Sequence, residues 1–238
     1  MNISILLPYK ENFSPAYPGA VSLFVYETTK ISKYKKDITV FGNTNYKNKF
    51  DLKYVNIDLN KDIFASQTKL YVTKFINLER KYESSIIEIH NRPSYIHILN
   101  SNLKNRVFTL YFHNDPLSMD GSKTVEQRKQ LLKYCYKIIF NSAWSKKRFL
   151  EGLENKFINS NKLLIFYQSA KKNNALIIKN KKKWITFVGK LNRAKGYDIF
   201  AKSIVKVLNK FPHWKAIVIG DEKREKISLN HKNATILG

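Results

Sequence analysis

Short apolar runs alternate with longer segments of helical period along the whole chain. The strand candidates are "ISILLP" (3–8), "DITVFG" (37–42), "KYVNI" (53–57), "IIEIH" (86–90), "VFTLYFH" (107–113), "KIIFN" (137–141) and "KLLIF" (162–166). Between them the pattern predicts helices near 19–35, 62–82, 93–102, 122–134 and 142–152. The runs are β-branched and mostly lack strict alternation, which predicts strands buried on both faces of a parallel sheet. Right-handed crossovers then give a doubly wound α/β domain whose functional loops leave the carboxyl ends of the strands.

The pattern breaks at "QSAKKNNALIIKNKKK" (168–183), a polar and cationic stretch. A new series follows: "WITFVG", a loop, a helix over about 197–211, "KAIVIGDE" and "NATILG". In that helix Phe200, Ile204, Val207, Leu208 and Phe211 share one face, and Pro212 ends it. The expected organisation is an N-terminal Rossmann-like domain over 1–167, a basic linker over 168–182, and the beginning of a second Rossmann-like domain over 183–238. Three strands and one helix leave apolar faces uncovered, so the second domain is expected to be incomplete.

Composition changes this picture in one respect. Forty-three Lys and Arg oppose eighteen Asp and Glu, a net charge of +25 over 238 residues. Nucleic acid, an anionic membrane surface and phosphorylated substrates are the partner classes such a charge admits. The cations are spread along the chain and no base-reading motif accompanies them, so nucleic acid is not the expected partner. A single cysteine, Cys135, excludes an internal disulfide framework, and no signal peptide or 18-residue apolar run is visible. Cytoplasm, with peripheral contact at the inner face of an anionic membrane, is the expected location. The five histidines have no zinc-like spacing and no Asp-x-Asp pair exists, so no metal and no other cofactor is expected.

The candidate chemistry centres on "FVGKLNRAKG" (187–196), where Lys190, Arg193 and Lys195 lie between Gly189 and Gly196 at the start of a helix. Unpaired N–H groups and the positive dipole end of a helix attract phosphate. Three added cations suit a ligand with more than one negative charge, such as a diphosphate leaving group. A solvated basic turn is the plainer alternative. His113 ends the strand "VFTLYFH" and His90 ends "IIEIH", both at carboxyl ends in an α/β domain. Asn141 and Ser142 read as a helix cap, though that strand end also faces the cleft and makes Asn141 a weaker site candidate; Gly19 and Ala20 read as another cap, and Trp144 as packing.

"VGKLNRAKGYDIFAKSIVKVLNKFPHWKAIVIGDE" resembles the start of the donor domain in GT-B glycosyltransferases of the family 4 type, group 1 glycosyltransferases. "LPYKENFSPAYPGAVSLFV", "FTLYFHNDP" and "IIFNSAWSKKRFL" resemble the acceptor domain of the same family. The resemblance implies a GT-B fold and transfer of a sugar from a nucleotide-sugar to a lipid-linked or other cell-envelope glycan acceptor, as in lipopolysaccharide or polysaccharide biosynthesis. It further implies retention of anomeric configuration without a metal. Lys190 stands where the family has Arg, which keeps the charge and loses the bidentate fork. Lys195 matches the family's Lys, and these two would hold the donor diphosphate. Arg193 falls at a variable position, an extra phosphate contact or plain surface.

The resemblance places His113 near the transferred sugar and Gly19 and Ala20 in a loop by the donor phosphate and the acceptor. His90 is a weaker acceptor-side candidate. Asp221 matches the Asp of Gly-Asp-Gly, a residue that supports the strand-end loop, while Glu222 replaces the second Gly. The family's acidic pair, two Glu seven residues apart, is expected beyond residue 238. Two other readings remain open: a non-catalytic nucleotide or anion binder, and, on charge alone, a basic nucleic-acid-binding protein.

Overall fold

The computed structural model describes residues 1–59, 66–169, 181–222 and 225–237. Most of the expected linker, and the first residues of the helix expected from 62, lie outside the described residues. The chain divides into two compact units, Met1–Ala170 and Lys171–Gly238.

In the first unit seven parallel strands form one sheet: β1 (Ile3–Leu6), β2 (Ile38–Gly42), β3 (Tyr54–Asn56), β4 (Ile86–His90), β5 (Val107–Phe112), β6 (Cys135–Phe140) and β7 (Leu163–Ile165). Their order is β3-β2-β1-β4-β5-β6-β7. The connections run outward from β1 in one direction and resume at β4 in the other, so the topological switch lies between β1 and β4. Ligands in open α/β sheets bind beside that switch, outside the strands' carboxyl ends. Five helices connect the strands: α1 (Ala20–Ile31), α2 (Gln67–Tyr82), α3 (Pro93–Asn102), α4 (Val125–Tyr134) and α5 (Ala143–Leu150).

Local sequence chemistry sets these boundaries. Pro93 opens α3 at a position that needs no N–H. Thr124 accepts from the Gln127 N–H at 3.2 Å while the Gln127 side chain accepts from the Thr124 N–H, a capping box that starts α4 later than the expected 122. The helix expected over 19–35 ends at Ile31, because Ser32 turns extended and a 3₁₀ turn over Lys35–Asp37 leads into β2.

The expectation that every strand is buried on both faces holds for part of the sheet. β2 is buried throughout. One core packs Leu6, Phe41, Phe75, Ile87, Ile89, Leu110 and Phe140 under α2, α3, α4 and α5. The other, under α1, holds Ile5, Leu7, Val21, Val25, Val40 and Phe50. Among the described residues α1 is the helix that packs on that second face, with Phe13 and Phe50 from loops; burial alternates along β5, and Leu164 on β7 is exposed. Trp144 is not a packing residue: it is exposed, and the Arg148 guanidinium lies over its ring.

The second unit carries a three-stranded parallel sheet of order β10-β9-β8, from β8 (Trp184–Val188), β9 (Lys215–Ile219) and β10 (Ala234–Leu237). α6 (Tyr197–Lys210) buries Ala201, Ile204 and Leu208 against Ala216, Ile185 and Ala234. Phe211, expected on the same stripe, caps the helix and is exposed. On the sheet's other face Trp184, Val188, Ile219 and Leu237 are exposed. Cys135 is buried, and burial pushes its thiol up to about 12. Among the described residues no helix is long and apolar enough to cross a membrane.

Candidate functional site

Two groups of side chains carry the chemistry, one in each unit. In the first unit they gather where β1, β4, β5 and β6 end. The loop after β1 is tied to the helix after β4 by the Tyr9 N–H, which donates to the Tyr95 hydroxyl at 3.2 Å. Tyr71 of α2 donates to the Leu7 carbonyl at 2.9 Å. The strand ends that flank the switch point are thereby fixed relative to each other.

The N-terminus of α1, where Gly19 and Ala20 stand, already has an anion. The Glu11 carboxylate accepts from the Val21 and Ser22 N–H groups, each at 3.0 Å. It lies so close to Gly19 that a Cβ there would come within 1.9 Å of Glu11 Oε1. Gly19 is the N-cap residue of α1, and its carbonyl accepts from the Leu23 N–H at 3.0 Å. Gly19 therefore stands as the cap the sequence suggested, and the Glu11 carboxylate occupies the helix end beside it.

His90 and His113 come together. Their rings meet through Nδ1 of His90 and Nε2 of His113 at 2.8 Å. His90 is fully buried, and its Nε2 meets a Glu88 carboxylate oxygen at 2.8 Å. The Gln168 amide nitrogen lies 2.5 Å from His113 Nδ1. Tyr111 stacks on His90, and Phe24 of α1 sets its ring edge against both imidazoles. The His113 backbone is held as well: its N–H donates to Asn91 Oδ1 at 2.7 Å, and its carbonyl accepts from Asn141 Nδ2 at 2.8 Å. Asn91 adopts a left-handed backbone (φ 51°), an uncommon conformation that Asn tolerates better than most residues. Asn141 therefore anchors His113, while Ser142 alone caps α5 by accepting from the Ser145 N–H at 3.1 Å. Burial, with the neighbouring His90, drives the His113 imidazole down to about 3. Burial and the Glu88 carboxylate push the Tyr111 phenol up.

In the second unit the loop after β8 presents Lys190, Arg193 and Lys195, all exposed and without an ion-pair partner among the described residues. Several N–H groups of the loop find acceptors within the chain. Buried Asn192 accepts from the Lys195 N–H through its side chain at 3.1 Å, and its carbonyl accepts from the Tyr197 N–H at 3.2 Å. The Arg193 N–H donates to the Glu225 carboxylate at 3.1 Å, and Gly196 N–H to the Arg193 carbonyl at 2.9 Å. Asn192 in turn donates to Glu222 at 3.0 Å. The loop is braced internally and presents three side-chain cations. Gly196, at φ 72°, makes the left-handed step from the 3₁₀ turn Arg193–Lys195 into α6.

Asp221 is exposed; the carboxylates that meet the loop are those of Glu222 and Glu225. The close backbone approach falls at Gly220, where a Cβ would lie 1.9 Å from the Gly189 carbonyl oxygen. Glu11, Glu88, Asn192 and Glu225 all escaped the sequence reading. Glu88 left a signal, a carboxylate two residues before His90 on the same face of an otherwise apolar strand. Among the described residues no group of three or more His, Cys, Asp or Glu is arranged to hold a metal.

No protein-family model matches the sequence, and no curated protein does. Solved structures are similar over the whole chain. The Anabaena Alr3699/HepE complex with UDP-glucose is 13% identical over 99% of this chain and 68% of that one, with a TM-score of 0.68. A mutant of S. aureus TarM, solved with fondaparinux, α-GlcNAc-glycerol and UDP, is 10% identical over 99% and 77% of the two chains, with a TM-score of 0.70. A UDP-N-acetylglucosamine 2-epimerase from Rickettsia bellii is 10% identical over 100% and 68%, with a TM-score of 0.56. This chain spans 61% of the HepE chain in its complex with UDP and glucose. A seven-stranded and a three-stranded parallel sheet in one chain, superposed on these neighbours, establish that the protein has the α/β architecture of the GT-B fold.

Proposed function

We propose that this chain is the nucleotide-sugar-dependent part of a glycosyltransferase of the family 4 type. Its donor is a nucleoside diphosphate sugar, and its acceptor a cell-envelope glycan or lipid-linked sugar. The observation that carries the reading is the loop after β8: three exposed cations unpaired among the described residues, on a fold whose solved likenesses include complexes with UDP and UDP-glucose. Lys190 and Lys195 would offset the charge that develops on the diphosphate as its bond to the sugar breaks, with Arg193 as a further phosphate contact. His113 would hold a group of the sugar. The reaction would retain the anomeric configuration and need no metal. The surplus positive charge would hold the protein at the cytoplasmic face of an anionic membrane that carries the acceptor.

Calorimetric titration with UDP and GDP tests the donor assignment. One of them is expected to bind, and Lys195→Ala to weaken it about 10- to 100-fold, the worth of one charged contact. Binding of neither nucleotide, or equal binding by Lys195→Ala, rejects the diphosphate assignment of the loop. Nucleotide binding without glycosyl transfer favours the non-catalytic binder.

A further inference from the structure

Glu88, His90, His113 and Gln168 form one hydrogen-bonded row, and its two ends together set the order of donors along it. A carboxylate oxygen accepts, so the proton between Glu88 and His90 sits on His90 Nε2. His90 Nδ1 takes the acceptor's part, because the imidazole it faces is neutral and turns its other nitrogen to a donor amide. His90 Nδ1 faces His113 Nε2 at 2.8 Å, so His113 Nε2 must carry the proton that closes that bond. His113 Nδ1 is left with a lone pair, and what faces it is the Gln168 amide nitrogen, a donor, on an exposed side chain. Every link is satisfied in one direction only.

The rings packed against the row are aromatic. Tyr111 stacks face-on against His90, and Phe24 contributes an apolar edge from α1. The titratable groups that face the two imidazoles are Glu88 and Tyr111 from β4 and β5. The His113 ring is partly buried and driven to the neutral form, as an accepting nitrogen requires.

We propose that Glu88 and His90 are positioning residues that set the tautomer of His113, so that His113 presents a lone pair and not an N–H at the carboxyl end of β5. The ligand group met there is then a hydrogen-bond donor, a sugar or acceptor hydroxyl that takes the place of the Gln168 amide. A phosphate or carboxylate oxygen would face the lone pair and be repelled. The diphosphate therefore belongs to the lysine loop and not to His113. The identity of the hydroxyl as a sugar's rests on the function proposed above; the tautomer does not.

The test is long-range ¹H–¹⁵N correlation spectroscopy of the 238-residue chain labelled at histidine, near neutral pH, with His113→Asn and His90→Asn for assignment. His90 and His113 are each expected as a single form, with Nε2 protonated and Nδ1 not. Glu88→Leu removes the acceptor and is expected to turn His113 into a mixture of tautomers. Glu88→Gln, whose amide oxygen can still accept from His90 Nε2, is expected to restore the single form. A protonated Nδ1 on His113 in the wild-type chain overturns the proposal even if no variant folds, and so does an unchanged His113 spectrum in folded Glu88→Leu. The measurement needs no ligand. The expected tautomers without nucleotide binding would leave the relay standing and remove the donor reading, and the reverse pair of results would do the opposite.

Discussion

Gly19→Ala is a small change whose cost can be worked from the coordinates. The new Cβ would lie 1.9 Å from Glu11 Oε1 and 2.4 Å from Glu11 Cδ, distances no real contact reaches. Those atoms are the far end of a flexible side chain, so the strand and helix stay put and the carboxylate swings away. The α1 N-terminus then loses two charge-assisted acceptor contacts at 3.0 Å and an anion at its positive end. Loss of a helix cap costs about 0.5–2 kcal/mol, and loss of the charge at the dipole a further 0.3–1 kcal/mol, roughly. The expected sum is about 2 kcal/mol, or a fall in Tm of about 4–8 °C for a unit of this size.

A double-mutant cycle read by calorimetry and urea unfolding isolates the mechanism. Glu11→Ala alone should cost about as much as Gly19→Ala alone, since both remove the same contact. Gly19→Ala introduced into Glu11→Ala should then cost next to nothing. Additive costs, or a neutral Gly19→Ala in the wild-type background, would show that Glu11 is not what fills the α1 N-terminus.

Three further outcomes follow from the same structure. His113, lowered from 6.5 to about 3, favours the neutral form in the folded state; the unfolded chain binds the extra proton between those values, so stability is complete above pH 6.5 and is lost as pH falls toward 3. Between pH 6.5 and 4.5 the wild-type chain should lose about 2–3 kcal/mol more than His113→Gln, and parallel pH profiles from urea unfolding would refute this. Gly220→Ala places a Cβ against the Gly189 carbonyl oxygen at a backbone φ of 149°, and should cost the second unit about 3 kcal/mol or more, seen as lost amide-exchange protection over β8 and β9. Cys135, buried with its thiol raised to about 12, should resist alkylation in the native chain and react once urea unfolds it, so a fast native reaction would contradict its burial.

Element type and order were legible in the sequence because they follow from local period and punctuation. Apolar runs such as "ISILL" and "IIEIH" became β1 and β4, and the 3.6-residue stripe of α6 became its buried face. The alternation of strands and helices required parallel pairing, and with it functional loops at the strands' carboxyl ends. Lys190, Arg193 and Lys195 could be found because a charge cluster at a strand-to-helix turn is a local feature of the chain.

What stayed hidden depends on pairs distant in sequence. His90 and His113 were separate candidates until β4 paired with β5 and set a nitrogen of each ring 2.8 Å from the other. Glu11 accepts from N–H groups at the α1 N-terminus, and Asn192 and Glu225 do so at the lysine loop, because a folded chain satisfies its own donors wherever a side chain can reach. Burial on both faces failed for β5 and β7 because period alone cannot count the helices laid on each side of a sheet. Only the tertiary structure decided which helix ends are closed, which carboxylate closes each, and which nitrogen of His113 faces outward.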